Sequence, residues 1–408
     1  MNTEETFLEL MSYREYKSLQ RHRDKTKVGQ GRKRTDYIGG FDKSLLIVVV
    51  FLVIIGFLAI FSATAPKCMR EGVNVASFLC KQLVFAFAGF FAMAFFAKFD
   101  YHKLEKYNVR YLWFVAILLF LVHFTPLGVS INGAKRWLSL GPLQLQPSEF
   151  AKPLFCMMLA SAFKDRVKIL DKITICRVYL PLLIILLMIF KQPNLSMVII
   201  LSMTSLGLYV AAGGSLVLLG IGGGLIGAGI LSMLPKLLHG FQMDRINIWL
   251  NPGSDAQGKG YNIIQSLIAF ASGGFSGTGY GGSIQKLAYL PECHTDFIFS
   301  IIAEEFGWLG CIFIIGLFAA LVHRGMRISK RCPDMYGKLL AIGFTFIFGF
   351  QAFLNMSVAS SLLPVTGVTL PFISYGGSSI FVFLAMTGIL LNISRQRVKK
   401  IGGTETDE

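Results

Sequence analysis

Residues 277–307 read GTGYGGSIQKLAYLPECHTDFIFSIIAEEFG and mark the change from a polar, glycine-rich loop to an apolar segment. The loop ends with three ionisable residues at alternate positions, Glu292, His294 and Asp296, and the apolar segment begins at Phe297. Ionisable side chains at the edge of a membrane span are costly to keep there and usually serve a function. The stretch therefore predicts a membrane protein whose chemistry takes place at the membrane surface.

The composition agrees with a membrane protein. Of the 408 residues, 54% are hydrophobic and only 15% are charged, whereas a soluble domain carries about 25% charged residues. The first 42 residues are polar and basic, and the first apolar run, at 43–63, is long enough to span a bilayer. This order predicts a membrane-spanning helix rather than a cleaved signal peptide. The seven cysteines have no spacing typical of a metal site.

Apolar segments of the length that a bilayer requires recur along the chain. They predict an all-α polytopic protein with about ten transmembrane helices. A basic tail at 1–42 precedes the membrane domain at 43–393, and a second tail follows at 394–408. We place the spans near 43–63, 77–97, 109–126, 148–163, 177–191, 195–211, 216–235, 297–322, 338–356 and 374–393.

The distribution of basic residues predicts the orientation. With both termini in the cytoplasm, the inner segments hold 24 of the 39 Lys and Arg residues, as expected from the excess of positive charge on cytoplasmic loops. The long loop at 236–296 then lies outside the cytoplasm. The basic tail is either solvated or in contact with anionic lipid.

The long outer loop contains one segment with apolar residues at helical spacing, Tyr261–Phe270. We predict a short amphipathic helix that lies at the membrane interface. Ile264, Leu267 and Ile268 share one face of this helix, which either forms a movable wall for lateral access of a lipid or merely rests on the membrane. The glycines between 273 and 282 predict a flexible approach to Asp296.

Charged residues also fall within the membrane domain. Glu149 and Lys152 are three residues apart, so they share one face of the fourth span. They form either a buried ion pair that holds helices together or the charged wall of a pocket.

A third polar segment lies near the end of the chain. Residues 363–379, LPVTGVTLPFISYGGSS, combine two prolines with a small polar run. Irregular backbone at membrane depth is tolerated only where it is buried in protein or lines a wet cavity. We expect a cavity at this segment.

Three segments together resemble the SEDS family (shape, elongation, division, sporulation). They are GAKRW…QPSEFAK at 133–152, LPECHTDFIFSIIAEEFG at 290–307 and LLPVTGVTLPFISYGGSS at 362–379. The last segment looks closer to the division and sporulation branches of the family than to the elongation branch. The resemblance covers the chain from the first span to the tenth. It implies a SEDS-type fold with ten spans and a peptidoglycan glycosyltransferase that polymerises lipid II.

The resemblance also implies site residues and partners. The family's catalytic aspartate falls on Asp296, and its polar cavity residues fall on Arg136, Glu149 and Lys152. The candidate substrate-binding residues further include His294, Ser374, Gly376 and Gly377. The implied partners are a class B penicillin-binding transpeptidase and other divisome proteins.

The sequence departs from the family's pattern at two places. The usual QPD-L-G appears as QPN-L-S at 192–196, so any role that requires a carboxylate at Asn194 is absent. The commoner GARRW appears as GAKRW, which places Lys135 beside Arg136. Neither departure changes Asp296.

The chemistry of such a site is consistent with these residues. An enzyme on the outer face has no ATP, so its sugar donor must arrive activated, and a lipid diphosphate meets that need. Because diphosphate is a good leaving group, one carboxylate base and neighbouring cations should suffice. Asp296 would accept the proton of the acceptor hydroxyl, and Arg136 and Lys152 would stabilise the departing diphosphate. A divalent metal ion, Mg²⁺ or Mn²⁺, is an open alternative source of positive charge.

Three other functions remain open from sequence alone. An elongation polymerase of the same family would share every motif described above. A flippase or transporter of lipid-linked precursors would also be polytopic, but such proteins typically show paired internal repeats, and we find no clear repeat in the sequence. A non-catalytic scaffold of the division machinery would need no acid at position 296.

Overall fold

The computed structural model describes residues 40–72, 74–131, 134–141, 143–164, 175–215, 247–255, 258 and 260–396. The predicted seventh span, at 216–235, lies outside these residues, and so does nearly all of both predicted tails. Arg136, Lys152, Asp296 and Ser374 all lie within the described part of the chain.

The described residues are predominantly helical. The helices are α1 (Lys43–Glu71), α2 (Val75–Lys98), α3 (Tyr101–Lys106), α4 (Asn108–Phe124), α5 (Pro147–Phe163), α6 (Leu180–Lys191), α7 (Leu195–Ala211), α8 (Tyr261–Gly273), α9 (Ile298–Arg331), α10 (Met335–Ala359) and α11 (Gly377–Arg395). A π-helical turn, Ile175–Tyr179, leads into α6, and a 3₁₀ turn, Pro252–Asp255, precedes α8.

Nine of the ten predicted spans coincide with helices in the described part of the chain. Five of them, α1, α2, α9, α10 and α11, are long and apolar enough to cross a membrane, and α4, α6 and α7 contain shorter apolar helices. The ninth, α5, carries the charged Glu149 and Lys152. The predicted helical class is confirmed.

Local sequence signals determine where several helices begin. The Asp42 carboxylate accepts a hydrogen bond from the Leu45 N–H (2.9 Å) at the start of α1. The Asp334 carboxylate accepts one from the Gly337 N–H (2.7 Å) at the start of α10. Pro147 occupies the first position of α5, where its missing N–H costs nothing. These caps satisfy backbone groups that have no partner within the helix.

A small antiparallel sheet follows α4, which the sequence did not predict. Strands β1 (Gly128–Ile131), β2 (Ala134–Leu140) and β3 (Leu143–Leu145) pair in the order β1-β2-β3. The sheet lies at the same end of the helices as the loop before α9, which we call the site end. The Gln146 N–H, just after β3, donates a hydrogen bond to the Ser378 hydroxyl at the start of α11 (2.9 Å).

Helices α10 and α11 are the central helices among those described, and close contacts surround them. A methyl group on Gly388 of α11 would come within 2.4 Å of the Met93 carbonyl oxygen of α2. A methyl group on Gly325 of α9 would come within 2.0 Å of the Thr345 hydroxyl of α10. Small residues at such crossings let helices in a membrane approach closely.

Helix α9 is interrupted at Gly307, whose φ of 62° is a left-handed value that favours glycine. The glycine-rich segment at 274–279 fills the interruption. The Trp308 N–H donates to the Gly274 carbonyl, and the Thr278 N–H donates to the Glu304 carbonyl, each at 3.0 Å. The expectation of a flexible approach is therefore wrong for this segment. Its glycines allow close backbone contact, and its backbone is held by hydrogen bonds.

Candidate active site

The loop that precedes α9 is held by a buried carboxylate of that helix. Glu304 is fully buried, and its carboxylate accepts hydrogen bonds from the Ser283 hydroxyl and from the N–H groups of Ile284 (3.0 Å) and Gln285 (3.3 Å). Hydrogen bonds in which one partner is charged are stronger than hydrogen bonds between neutral groups. Glu304 thus anchors the start of the loop 283–297 to the first part of α9.

The next residue of α9 makes a second anchor. The Lys286 ammonium donates to the Glu305 carboxylate (2.7 Å) and to the Ser62 hydroxyl of α1 (2.8 Å). The Ser62 hydroxyl also donates to Glu305. All three side chains are buried, and a buried charge within a membrane domain needs such partners. The cluster joins the loop to α1 and α9.

Asp296 lies at the other end of this loop. Its side chain is partly exposed, and its backbone carbonyl accepts a hydrogen bond from the Asn355 side chain of α10 (2.8 Å). The segment 363–376 packs beside it, because a methyl group on Gly367 would lie 3.3 Å from the Asp296 carboxylate oxygen Oδ2. The structure thus places a partly accessible carboxylate on a fixed backbone.

The three ionisable residues of the loop end occupy different environments. Glu292 is exposed, whereas His294 is buried. The His294 ring contacts the rings of Phe78 and Tyr375, at centroid distances of 6.1 and 5.6 Å, and these two rings also contact each other at 5.7 Å. Burial lowers the pKa of His294 below its ordinary value, which favours the neutral imidazole. The backbone of His294 holds the loop to the segment before α11, because the His294 carbonyl accepts a hydrogen bond from the Tyr375 N–H (2.9 Å).

The small polar run before α11 supports the same loop. The Ser374 hydroxyl donates to the Thr295 carbonyl (2.6 Å) and accepts the Leu370 N–H (2.8 Å). Gly376 and Gly377 lie against α2: the Gly376 N–H donates to the Gln82 side chain (3.1 Å), and a methyl group on Gly377 would overlap the Phe85 ring. Ser374 therefore contacts the Asp296 loop directly, while the two glycines dock the start of α11 on α2.

Glu149 and Lys152 form a buried ion pair in the first turns of α5. The Lys152 ammonium lies 2.7 Å from Glu149 Oε2 and 4.7 Å from the centroid of the Phe383 ring of α11. The Lys152 side chain is completely buried. Both sequence hypotheses remain compatible with this geometry, because a wall of a closed pocket and a structural pair would each be buried.

Arg136, on β2, contacts the turn between α6 and α7. Its Nε donates to the Gln192 carbonyl (2.9 Å), and its Nη2 donates to the Pro193 carbonyl. Asn194 caps α7 by accepting the Met197 N–H (3.4 Å) and donates to the Ser148 hydroxyl (3.4 Å). The residue that departs from the family's pattern thus links this turn to the beginning of α5.

The candidate residues therefore fall into two groups. Asp296, His294 and Ser374 meet in the loops at the site end, while Arg136, Glu149 and Lys152 surround the start of α5. The chain around the start of α11 links the two groups: Ser374, just before the helix, bonds to the Asp296 loop, and Phe383 within the helix faces Lys152.

Two polar residues of α10 were missed at the sequence level. Gln351 and Asn355 are one helical turn apart and are buried. Each side-chain nitrogen donates to carbonyl oxygens of the segment 363–376: Gln351 to Thr369 (2.9 Å) and Asn355 to Val368 (2.7 Å). The signal was available, because polar residues at i and i+4 in an apolar span mark one polar face.

The structure offers no protein-built metal site among the residues it describes: no group of three or more His, Cys, Asp or Glu side chains comes together there.

Comparisons with known proteins find a family model and relatives that match most of the chain. The model of the FtsW/RodA/SpoVE family, described as cell cycle protein, matches residues 42–399. A probable peptidoglycan glycosyltransferase FtsW from Trichlorobacter lovleyi is 39% identical over 362 residues, which cover 87% of this chain and 93% of the relative. Stage V sporulation protein E of Bacillus subtilis is 36% identical, with 87% of this chain and 97% of the relative covered.

Solved structures are also similar to this chain over most of its length. A chain from a structural study of polymerization and crosslinking by a peptidoglycan synthase complex aligns with a TM-score of 0.73 and 30% identity, covering 88% of this chain and 99% of that chain. The rod shape determining protein RodA of Thermus thermophilus aligns with a TM-score of 0.64 and 27% identity, covering 88% and 98%.

Proposed function

The chain belongs to the FtsW/RodA/SpoVE family of cell cycle proteins, and from this premise we propose that it is a peptidoglycan glycosyltransferase that polymerises lipid II. It is a multi-pass protein of the inner membrane. Relatives that carry the name peptidoglycan glycosyltransferase match nearly nine-tenths of its length. The observation that carries the proposal is the partly exposed Asp296 carboxylate on a loop fixed to α9, α10 and the segment before α11.

In the proposed reaction, Asp296 acts as the general base. It accepts the proton of the acceptor sugar's 4-hydroxyl while the hydroxyl oxygen attacks C1 of the donor sugar. The bond between C1 and the diphosphate oxygen breaks, and the lipid diphosphate leaves with the bonding electron pair. Since diphosphate is a stable anion, the leaving group needs no proton from a second carboxylate, unlike the leaving group of a glycosidase.

Arg136 and Lys152 are the proposed cations for the departing diphosphate. Both are already engaged, Arg136 with two carbonyls and Lys152 with Glu149. To bind the diphosphate, each must exchange or share its present partner. A bound diphosphate can compete for Arg136, because a guanidinium binds phosphate more strongly than it binds a neutral carbonyl. Lys152 would instead share its ammonium between the Glu149 carboxylate and the diphosphate.

We propose that both termini are cytoplasmic and that the Asp296 loop faces the opposite side of the membrane. The excess of Lys and Arg on the inner segments supports this orientation. It also fits a reaction that consumes an activated lipid-linked donor and no nucleotide.

A class B penicillin-binding transpeptidase is the proposed partner, together with other division proteins. One similar chain comes from a peptidoglycan synthase complex studied for polymerization and crosslinking. Septal synthesis is favoured over elongation because the relatives at 34–39% identity include several named FtsW, while the RodA structure is 27% identical.

The test is glycan polymerisation by purified protein in membranes given labelled lipid II, with and without the transpeptidase. Asp296→Asn should fold normally and lose polymerisation, because the amide keeps the shape of the carboxyl and cannot accept the proton. Glu292→Gln, which removes the exposed carboxylate of the same loop, is the matched control and should retain activity.

Polymerisation by Asp296→Asn at near wild-type rate would refute the general-base role. A wild-type protein that moves labelled lipid II across proteoliposome membranes without polymerising it would favour the flippase alternative instead.

A further inference from the structure

We propose that Asn355 is a positioning residue for the reaction: its carboxamide ties the Asp296 loop to the facing segment 366–369 and so fixes where the carboxylate lies. We call this arrangement the Asn355 clamp, formed by Asn355, Asp296 and Val368. The inference rests on the proposed function, because it takes Asp296 as the catalytic group.

The hydrogen bonds define the clamp. Asn355 Nδ2 donates to the Asp296 carbonyl (2.8 Å) and to the Val368 carbonyl (2.7 Å). A primary amide nitrogen carries two N–H groups, and both are used. Only the nitrogen can donate to carbonyl oxygens, so these two partners also fix the orientation of the carboxamide. Asn355 is 1% exposed, which keeps water from replacing either bond.

The two tied segments face each other across the Asp296 carboxylate. The Val368 N–H donates to the Thr366 carbonyl (2.9 Å), which makes a tight turn around Gly367. A methyl group on Gly367 would lie 3.3 Å from Asp296 Oδ2. One side chain therefore holds the backbone that carries the carboxylate and also the backbone that lies against it.

The position of Asn355 suits this purpose. It projects from near the end of α10. This long helix packs on α9 and lies in the centre of the described helices. Groups supported by helices are held more precisely than groups supported by loops alone. Because a displacement of about 1 Å at a reacting group costs on the order of 100-fold in rate, a loop-borne catalytic carboxylate benefits from such support.

Gln351 provides a matched control on the same helix. It lies one turn earlier, has the same carboxamide group and is equally buried. Its Nε2 donates to the Thr369 carbonyl (2.9 Å) and lies 3.3 Å from the Thr369 hydroxyl, so it holds the facing segment through Thr369. Loss of Gln351 should loosen that segment and leave the bond to the Asp296 carbonyl in place.

The experiment compares Asn355→Leu with Gln351→Leu in the full-length protein. Steady-state polymerisation of lipid II gives kcat and KM, and hydrogen–deuterium exchange reports backbone mobility. Asn355→Leu should lower kcat by about 100-fold with KM within about threefold, since positioning acts in the transition state. Exchange should rise in both 292–297 and 366–370. Gln351→Leu should lower kcat by less than about tenfold and raise exchange only in 366–370.

If Asn355→Leu does not accumulate, Asn355→Asp serves in its place. It keeps the volume of the side chain and removes both N–H donors, leaving at most one O–H donor when the carboxyl is protonated. The same pattern of kcat loss and faster exchange is expected.

Three results would overturn the proposal: a kcat for the Asn355 variant within threefold of wild type, equal kcat losses for the Asn355 and Gln351 variants, or unchanged exchange in 292–297. The exchange result is independent of the chemistry. An active Asp296→Asn protein would therefore refute the general-base role of Asp296, and a wild-type protein without polymerisation would refute the proposed function. In either case, exchange would still show whether Asn355 holds the loop.

Discussion

The Glu149–Lys152 pair gives the sharpest energetic prediction. The ammonium is completely buried and lies 2.7 Å from the carboxylate, so replacing either residue alone leaves a buried charge without its partner. Such a loss typically costs about 3–5 kcal/mol. The double replacement Glu149→Gln/Lys152→Met leaves no unpaired charge and should be better tolerated than either single change.

Neighbouring groups reduce the cost of each single change. After Glu149→Gln, Lys152 still faces the Phe383 ring at 4.7 Å, and a desolvated cation–π contact contributes about 2 kcal/mol. After Lys152→Met, Glu149 remains in the first turn of α5, where the helix dipole contributes up to about 1 kcal/mol. We expect each single change to destabilise by about 2–4 kcal/mol. Because the double change should cost less than either single change, the coupling energy must exceed the single cost, and we expect about 3–5 kcal/mol.

The assay is a double-mutant cycle on the free energy of unfolding in mixed micelles. The Glu105–Lys164 ion pair, whose side chains are 20% and 33% exposed, is the matched control and should show coupling of only about 0–1 kcal/mol. A coupling energy below about 0.5 kcal/mol for Glu149 and Lys152 would refute the reasoning, because contacting buried charges must couple by more than that. A double variant that is stable but cannot polymerise lipid II would support the pocket hypothesis over the structural one.

Three further predictions concern other parts of the chain. The carboxylate of Asp334, 3.6 Å from the His102 ring, and the hydrogen-bonded carboxylate of Asp100 raise the pKa of His102 from 6.5 to about 9. The stabilising contribution of His102 is therefore complete below pH 6.5 and is lost as the pH rises through about 9. His102→Gln should flatten the profile of unfolding free energy against pH over that range. A strained left-handed residue usually costs about 1–3 kcal/mol. Gly307→Ala should destabilise the protein by more than that, because its methyl group would also lie 2.5 Å from a backbone nitrogen. Gly316→Ala in the same helix meets nothing within 4 Å and should stabilise the protein by about 0.5–1 kcal/mol in a melting experiment. Leu267→Asn on the exposed face of α8 should slow polymerisation of long-chain donors more than short-chain donors if α8 admits the lipid, and equal effects on both would rule out that role.

The spans were predictable because their signal is local. An apolar run of bilayer length requires no knowledge of its neighbours, and nine of the predicted spans coincide with helices in the described part of the chain. The sheet at 128–145 was missed because its strands are short and each is joined to the next by only two residues. Such short strands give too little alternation of apolar and polar residues to be recognised.

The partners of the polar residues were less predictable. Arg136 was expected to face a cavity, yet two of its donors bind carbonyls of the turn at 192–193. A sequence identifies Arg136 as a costly residue in a membrane domain, but its partners depend on how distant segments fold together. The same limit applies to Lys286, whose partners Glu305 and Ser62 lie 19 and 224 residues away.

The glycines before Asp296 show why composition can mislead. Glycine permits bending, and it also permits backbones to approach where no other residue fits. From the sequence alone, Gly277 could serve either purpose. In the structure it serves close approach, because a methyl group there would lie 2.1 Å from the Glu305 carbonyl oxygen. The segment is therefore fixed against the interrupted helix.

Buried carboxylates and amides hold the loop that contains Asp296. Glu304 and Glu305 hold its first part, Asn355 holds Asp296, and Ser374 holds Thr295. A polar group in a membrane domain is stabilising only when its partners are present, so these residues favour one arrangement of the loop over all others. A chain that merely spanned the membrane would gain nothing from this set of costly residues. Their concentration around one partly exposed aspartate is what a catalytic carboxylate, which must be held accurately in a loop, requires.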